Sequence, residues 1–408
     1  MELKPIIPNP GSEFNPDNFV GRQDVTEAAN RMLAVGQRII LNDPRRMGKT
    51  FWIKTFAARQ GQAKKYRVVF IDYQGANSLD EFLTYTVRAL AAYQRLPKRF
   101  LKRLKGWFDN VELGASGAIT IKKSIQRASK SSLELLEELL RQLDNDVKED
   151  DGGPLVIAMD EVADAVLEIA KRQTPEEAHT LLKRLRHLRN ETKHLRWIVS
   201  GSVGFHHVLS VCGATEDVNN DLDPLKFGPL NATDSAELAR RLALGIDRPI
   251  GDEAVQTAVR LTNGIPSLLQ SLFDLLQFDS EGQASAGTEI SVAEVKERLN
   301  DFIEDRDQSR HVLHYVSRIG TYYGDNAALA HRILAWAATT PTWHSVADLA
   351  ATLKKQLGKA FDHERFQSTL LNLVDDHYLL MRFLDGERDV MWRYDILRVI
   401  YLRHKVQD

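Results

Sequence analysis

Leu41-Asn42-Asp43-Pro44-Arg45-Arg46-Met47-Gly48-Lys49-Thr50 sits between an apolar run, Arg38-Ile39-Ile40-Leu41, and a helical pattern that begins Phe51-Trp52-Ile53-Lys54. Strand, loop and helix in that order are the context required by the phosphate-binding loop G-x-x-x-x-G-K-[ST]. In such a loop backbone N–H groups turn inward around a phosphate, and the helix N-terminus adds partial positive charge. Lys49 is placed to reach β- and γ-phosphates as a mobile point charge, and Thr50 to offer its hydroxyl to Mg2+. Asp43 replaces the first glycine of the pattern, so a carboxylate stands at the loop entry. Its side chain can turn outward to cap a backbone group, and Arg45 and Arg46 can neutralise it. The carboxylate predicts weakened nucleotide affinity and leaves the rate of turnover as the open quantity. The plain alternative is a helix N-terminus that happens to read Gly-Lys-Thr.

A second phosphate-site element downstream favours the functional reading. Pro154-Leu155-Val156-Ile157-Ala158-Met159-Asp160-Glu161 reads as a buried strand ending in two carboxylates. At the C-terminal end of a central parallel strand Asp160 can hold Mg2+, and Glu161 can polarise an attacking water as general base. Between the two elements lie a strand, Tyr66–Tyr73, and a helix, Asp80–Tyr93, which give a βαβα order and favour a parallel sheet flanked by helices. The turn around Lys49 and the acidic pair are expected at neighbouring strand ends. The next strand, Leu195–Ser202, ends in Ser200-Gly201-Ser202. Those serines lie where a polar side chain senses a γ-phosphate or positions water, although a serine at a strand end is also ordinary turn chemistry.

At 408 residues the chain is long enough for two or three domains, and 43% hydrophobic with 27% charged residues is ordinary for a soluble protein. A net charge of -2 predicts no global attraction to nucleic acid, so any such binding needs a local patch. The single cysteine, Cys212, excludes an internal disulfide and a cysteine-based zinc site, and suits a reducing compartment. It follows an apolar segment read as a strand, and an inert thiol is the expectation. No apolar run approaches the ~20 residues of a membrane span, and the N-terminus lacks a signal-peptide core, so a cytoplasmic protein without membrane contact is expected.

Residues 1–18 hold four prolines and read as an extended arm. Phe19-Val20-Gly21-Arg22 follows, ahead of an amphipathic helix from Asp24 to Val35; this short element can pack its backbone against an adenine, or be a plain N-cap region. Residues 95–130 interrupt the α/β pattern. Their helix carries Arg95, Lys98, Arg99, Lys102, Arg103 and Lys105 on one side and apolar residues on the other, followed by an alternating, Gly-rich hairpin pattern at 110–121. A basic surface for nucleic acid or an acidic partner and a solvated amphipathic helix are equally open readings. Helices Ser131–Val147 and Pro175–Glu191 follow. Arg184, Arg186 and Arg189 of the second can reach a neighbouring subunit's γ-phosphate or simply be solvated. From Leu225 the pattern is helical, with Gly264-Ile265-Pro266 as a helix stop and restart, or as a lid over the adenine. The C-terminal order, helix Ser345–Leu357, helix Asp362–Asp376, then two alternating segments around Asp385-Gly386, is that of a winged helix. Its second helix is not basic, which weakens DNA reading and suits a protein partner.

Together, Phe19-Val20-Gly21-Arg22, Pro44-Arg45-Arg46-Met47-Gly48-Lys49-Thr50, Asp160-Glu161, Ser200-Gly201-Ser202 and Gly264-Ile265-Pro266 resemble the archaeal-type STAND ATPases, which border the origin-recognition initiators of the AAA+ class. The resemblance covers nearly the whole chain and implies an α/β P-loop NTPase core with a parallel sheet, a helical lid and a C-terminal winged helix. The corresponding domains are 1–224 with an insert at about 95–130, 225–330, and 331–408. It implies an ATP-dependent switch that binds ATP or ADP with Mg2+. Phe19, Val20 and Pro266 would flank the adenine, with Gly21 and Arg22 beside them. Asp43, Pro44, Arg45, Arg46, Met47, Gly48, Lys49, Thr50 and Phe51 would surround the phosphates. Thr50 and Asp160 would hold the metal, Glu161 would be the base, and Ser202 would lie near the γ-phosphate. Two alternatives stand beside the switch: a low-turnover, nucleotide-stabilised module that docks a protein partner or a second copy, and an initiator-like ATPase that binds DNA through residues 95–130 and the wing.

Overall fold

The protein is described from a computed structural model, which covers residues 3–9, 14–63, 65–109, 122–123, 129–150, 152–202, 204–213, 218–278 and 282–405. It divides into two compact units. An α/β unit comprises Arg22–Arg45 and Lys49–Phe227; a helical unit comprises Met1–Gly21, Arg46–Gly48 and Gly228–Asp408.

The α/β unit begins with α1 (Gln23–Ala34), β1 (Ile39–Leu41), α2 (Lys49–Gln62), β2 (Arg67–Asp72), α3 (Leu79–Ala92) and α4 (Lys98–Trp107). It continues through β3 (Phe108–Asp109), β4 (Lys122–Lys123), α5 (Ser132–Lys148), β5 (Leu155–Asp160), α6 (Val162–Arg172), α7 (Pro175–Glu191), β6 (Leu195–Ser200), α8 (Phe205–Val211) and β7 (Asp223–Pro224). The main sheet is parallel, in the order β2-β5-β6-β1-β7. All six residues of β5 are buried, as a continuous apolar run demands of a strand covered on both faces. The register pairs Asp72 with Asp160, and Leu41 with Ser200, so the C-terminal ends of β1, β2, β5 and β6 share one edge of the sheet. Neighbouring strands for the loop and the acidic pair is therefore corrected: β6, almost as fully buried as β5, runs between β1 and β5.

Two further details depart from expectation. β7 adds a fifth strand, joined to β1 by Asp223 N–H to Arg38 O (2.6 Å) and Leu225 N–H to Ile40 O (3.0 Å). Two residues, one of them proline, give no alternation to read, and proline is tolerated there because β7 is an edge. The apolar segment ahead of Cys212 is the helix α8, with Phe205, Val208 and Leu209 buried on one face at helical spacing, rather than a strand. The expected hairpin at 110–121 lies outside the described residues; the strands at its two ends, β3 and β4, pair antiparallel. α4 buries Phe100, Leu104 and Trp107, and docks on α5 through Arg99 to Asp146 (2.7 Å) and Arg103 to Asp146 (3.2 Å).

In the helical unit Pro16–Asn18 forms a 3-10 turn where an extended arm is expected, and residues 3–9 of that arm are anchored. Ile6 is buried, its N–H donates to Arg241 O (2.8 Å), and the Arg241 guanidinium donates to the carbonyls of Lys4 and Asp17. α9 (Ala232–Gly245), α10 (Asp252–Leu261), α11 (Pro266–Leu275), α12 (Val292–Glu304) and α13 (Arg306–Tyr322) follow. Then come α14 (Ala327–Ala337), β8 (His344–Ser345), α15 (Val346–Leu357), α16 (His363–Asp375), β9 (Leu379–Leu384), β10 (Glu387–Trp392) and α17 (Asp395–Lys405). The stretch from α14 to β10 has the element order of a winged helix, with a three-stranded sheet ordered β8-β10-β9. Asp385 and Gly386 both have positive φ (52° and 83°), the geometry of a two-residue hairpin turn, so β10 starts at Glu387 rather than Asp389. α17 adds a helix beyond the wing that the sequence reading had passed over. Among the described residues no helix is long and apolar enough to cross a membrane.

Candidate active site

β1 ends at Leu41, the chain turns through residues 42–48, and α2 starts at Lys49. Arg46 (φ 69°) and Gly48 (φ 88°) take left-handed backbone conformations within this turn. A Cβ at Gly48 would meet nothing within 4 Å, so glycine is required there for its conformation and not for space. Lys49 is buried, and its ammonium donates to the carbonyl oxygens of Asp43 and Pro44, the latter at 2.8 Å. The lysine thus closes the loop on its own backbone and keeps its charge at the centre of the turn.

The strand order puts the end of β6 between the loop and the end of β5, and the side chains bridge the remaining distance. Thr50 Oγ1 donates to Asp160 Oδ2 at 2.6 Å. Asp160 is 1% exposed and also accepts from the Glu161 N–H (3.2 Å). A hydroxyl and a carboxylate side by side, with only hard oxygen donors, suit Mg2+. Glu161 has a left-handed backbone (φ 55°) at the start of α6, which turns its carboxylate out of strand register. Glu161 Oε2 accepts from Ser202 Oγ (2.8 Å) and Ser202 N–H (3.2 Å).

Asp164 and Arg45 complete the cluster. Ser202 Oγ lies 2.9 Å from Asp164 Oδ2, Arg45 Nε donates to Ser202 Oγ (2.8 Å), and the Arg45 guanidinium stands 3.6 Å from Asp164 Oδ1. A hydroxyl carries one hydrogen and cannot donate to two carboxylates at once, so one of the pair brings its own proton. Burial first, then the hydrogen bond to Asp164 and the like charges of Asp164 and Asp160, push Glu161 up to about 8, against the opposing pull of Ser202. Asp164 was missed in the sequence. Its signal was the spacing Asp160-Glu161-x-x-Asp164, which puts a third carboxylate one helical turn after the pair only if a helix begins immediately after Glu161.

The remaining site candidates lie as follows. Met47 is buried; Pro44 and Phe51 flank the turn and the first turn of α2. Phe19, Val20, Gly21 and Pro266 belong to the helical unit, where two of their neighbours meet the same turn of α9. Gly21 (φ 67°) lies so close to Asp234 that a Cβ would stand 2.1 Å from its carboxyl group, and a Cβ at Gly264 (φ 66°) would stand 2.8 Å from Ser235 Oγ. The two elements expected around an adenine thus converge on the start of α9. Arg22, in the α/β unit, is buried, with its guanidinium on the Phe227 carbonyl (2.6 Å) and 4.0 Å from the Phe227 ring centre. Cys212 is buried, and burial pushes its thiol up to about 11.

No protein-family model matches the sequence, and no curated protein matches it. Solved structures do match. A Walker-type ATPase of Pyrococcus abyssi aligns with a TM-score of 0.61 at 16% identity, over 98% of each chain. The ORC2 protein of Aeropyrum pernix, solved as ADPNP–ADP complexes, aligns with a TM-score of 0.52 at 14% identity, again over 98% of each chain. At such identities the likeness is one of fold, and the chain has the P-loop ATPase fold of these archaeal proteins, as the resemblance implied.

Proposed function

We propose that the protein is an ATPase that binds and hydrolyses ATP with Mg2+, and that its nucleotide state acts as a conformational switch. The observation that carries this reading is the 2.6 Å hydrogen bond from Thr50 to Asp160, beside a lysine buried at the centre of the loop. On binding, the Lys49 ammonium exchanges the carbonyls of Asp43 and Pro44 for β- and γ-phosphate oxygens. Thr50 and Asp160 would hold Mg2+, whose charge would offset that of the phosphates. Glu161, once it has released its proton, accepts one from water while the water oxygen attacks the γ-phosphorus; the bond to the β,γ-bridging oxygen breaks and ADP leaves. Ser202 holds Glu161 in place for this step. Phe19, Val20 and Pro266 take the adenine, with Gly21 and Arg22 shaping the backbone beside it.

Loss of the γ-phosphate on hydrolysis would remove one set of contacts to the nucleotide, which is the basis of the switch. Residues 1–224, 225–330 and 331–408 are then the modules that respond. The single cysteine fits a cytoplasmic setting. A second reading, a low-turnover module stabilised by nucleotide and acting on a protein partner, draws support from Asp43 in the loop and from the proton on Glu161. DNA binding has less support. Arg99 and Arg103 of α4 are held by Asp146, and α16 presents Glu364 and Asp375 to solvent beside Leu371. The test is steady-state turnover of wild type, Lys49→Ala and Glu161→Gln with Mg2+ and ATP. The first reading expects turnover in the wild type alone, with ATP still bound by Glu161→Gln. No turnover, with or without DNA, would leave the module reading.

A further inference from the structure

An ATPase of this design needs a cation at the γ-phosphate besides Lys49, and the arginines of α7 are natural candidates for donation to a second copy. The structure gives two of them carboxylate partners. Arg184 binds Glu137 (3.0 Å), and Arg189 forms a two-point pair with the buried Asp221 (2.7 and 2.8 Å). Arg45 stands differently. It belongs to the same loop as Lys49, directly after the two residues whose carbonyls hold the Lys49 ammonium. Its guanidinium donates to Ser202 Oγ, the hydroxyl that also holds Glu161, so one oxygen separates it from the carboxylate that accepts the water's proton. In the hydrolysis proposed above, the base and the γ-phosphate would face each other across a single water, which would bring that phosphate within reach of the same guanidinium.

We infer that Arg45 is a catalytic cation supplied in cis: when ATP binds, its guanidinium leaves Ser202 and Asp164 and takes the γ-phosphate held by its own loop. This rests on the ATPase reading above. Its ion pair with Asp164 is weak enough to exchange. The pair with Asp164 is 3.6 Å apart, with side chains 33% and 21% exposed, a distance and exposure at which solvent screens most of the attraction. Arginine and phosphate instead form charge-assisted, two-point hydrogen bonds. In the transition state charge spreads over the γ-oxygens, and a fixed guanidinium there acts on the rate more than on ground-state binding.

The test compares wild type, Arg45→Ala and Arg45→Lys by calorimetric titration with Mg2+ and either ADP or the non-hydrolysable analogue ADPNP, together with turnover of ATP. For Arg45→Ala the expectation is a turnover loss on the order of 10²–10³-fold, as for removal of one transition-state donor. Its preference for ADPNP over ADP should fall about tenfold with ADP affinity unchanged, since the lost contact is to the γ-phosphate alone. Arg45→Lys keeps the charge without the planar fork and should recover part of the ADPNP preference but little turnover; it serves if the alanine variant loosens the loop. Mixing Arg45→Ala with Lys49→Ala should restore nothing. Restored turnover would make the arginine act in trans and overturn the inference. So would a wild-type rate in Arg45→Ala, or equal loss of ADP and ADPNP affinity. Wild-type protein that binds neither nucleotide would instead bring down the ATPase reading, and this inference with it.

Discussion

At the scale of single residues two cases decide most: the titration of Glu161 and the close approach at Gly21. Burial and the neighbouring carboxylates push Glu161 up to about 8 in the folded, nucleotide-free protein, well above the 4.5 of an unfolded carboxyl group. The folded state therefore binds more protons across that window, so its stability from this group is complete below about pH 4.5 and is lost as pH rises through 8. Glu161→Gln removes the dependence. In EDTA its melting temperature should match that of the wild type at pH 5 and exceed it at pH 9; a constant difference at both pH values would mean that Glu161 is not the group that titrates. Gly21 is the second case. Alanine there faces the left-handed φ of 67°, at a cost of about 1–2 kcal/mol, and a Cβ 2.1 Å from the Asp234 carboxyl group that Asn231 holds at 2.9 Å. Thermal melting of Gly21→Ala should fall by several degrees, and an unchanged melting temperature would show that the arm relaxes away from α9.

Elements are tied together by contacts distant in sequence. Arg189 at the end of α7 holds Asp221, ahead of β7, through two hydrogen bonds, and also donates to Val218 O (3.1 Å). Both side chains are about 5% exposed. Removing one member of a buried pair leaves the other uncompensated, so Asp221→Ala should cost about 3–5 kcal/mol in denaturant melts. Less than ~1 kcal/mol would mean that water enters to solvate Arg189. The same distance in sequence explains what could be read beforehand. Lys49, Thr50, Asp160 and Glu161 were legible because phosphate chemistry needs those side chains at strand ends, and the flanking runs identified the strands. β6 between β1 and β5 was not, since apolar periodicity marks a strand but not its neighbours. Nor was the hold of Arg22 on Phe227, which only the fold brings together. β7 offered too few residues for a pattern, and Asp164 became part of the site only because α6 starts directly after Glu161.

At the scale of the whole molecule, Phe19, Val20, Gly21 and Pro266 belong to the helical unit, whereas Asp43–Arg45 and Lys49–Phe51 belong to the α/β unit. If one nucleotide engages both groups, ATP should slow amide hydrogen exchange at Phe19–Gly21 and Gly264–Pro266 as well as around Lys49. Slowing confined to the phosphate loop would exclude Phe19–Gly21 and Gly264–Pro266 from the site and remove the basis for a switch. Occupancy at a hundred times Kd should also raise stability by about 2.7 kcal/mol through mass action. The most direct measurement is a calorimetric titration of Mg2+ and ATP into wild-type protein and into Lys49→Ala. A saturable 1:1 binding heat in the wild type, lost in the variant, is the predicted result; no heat in either, or the same heat in both, would contradict a triphosphate held by this loop.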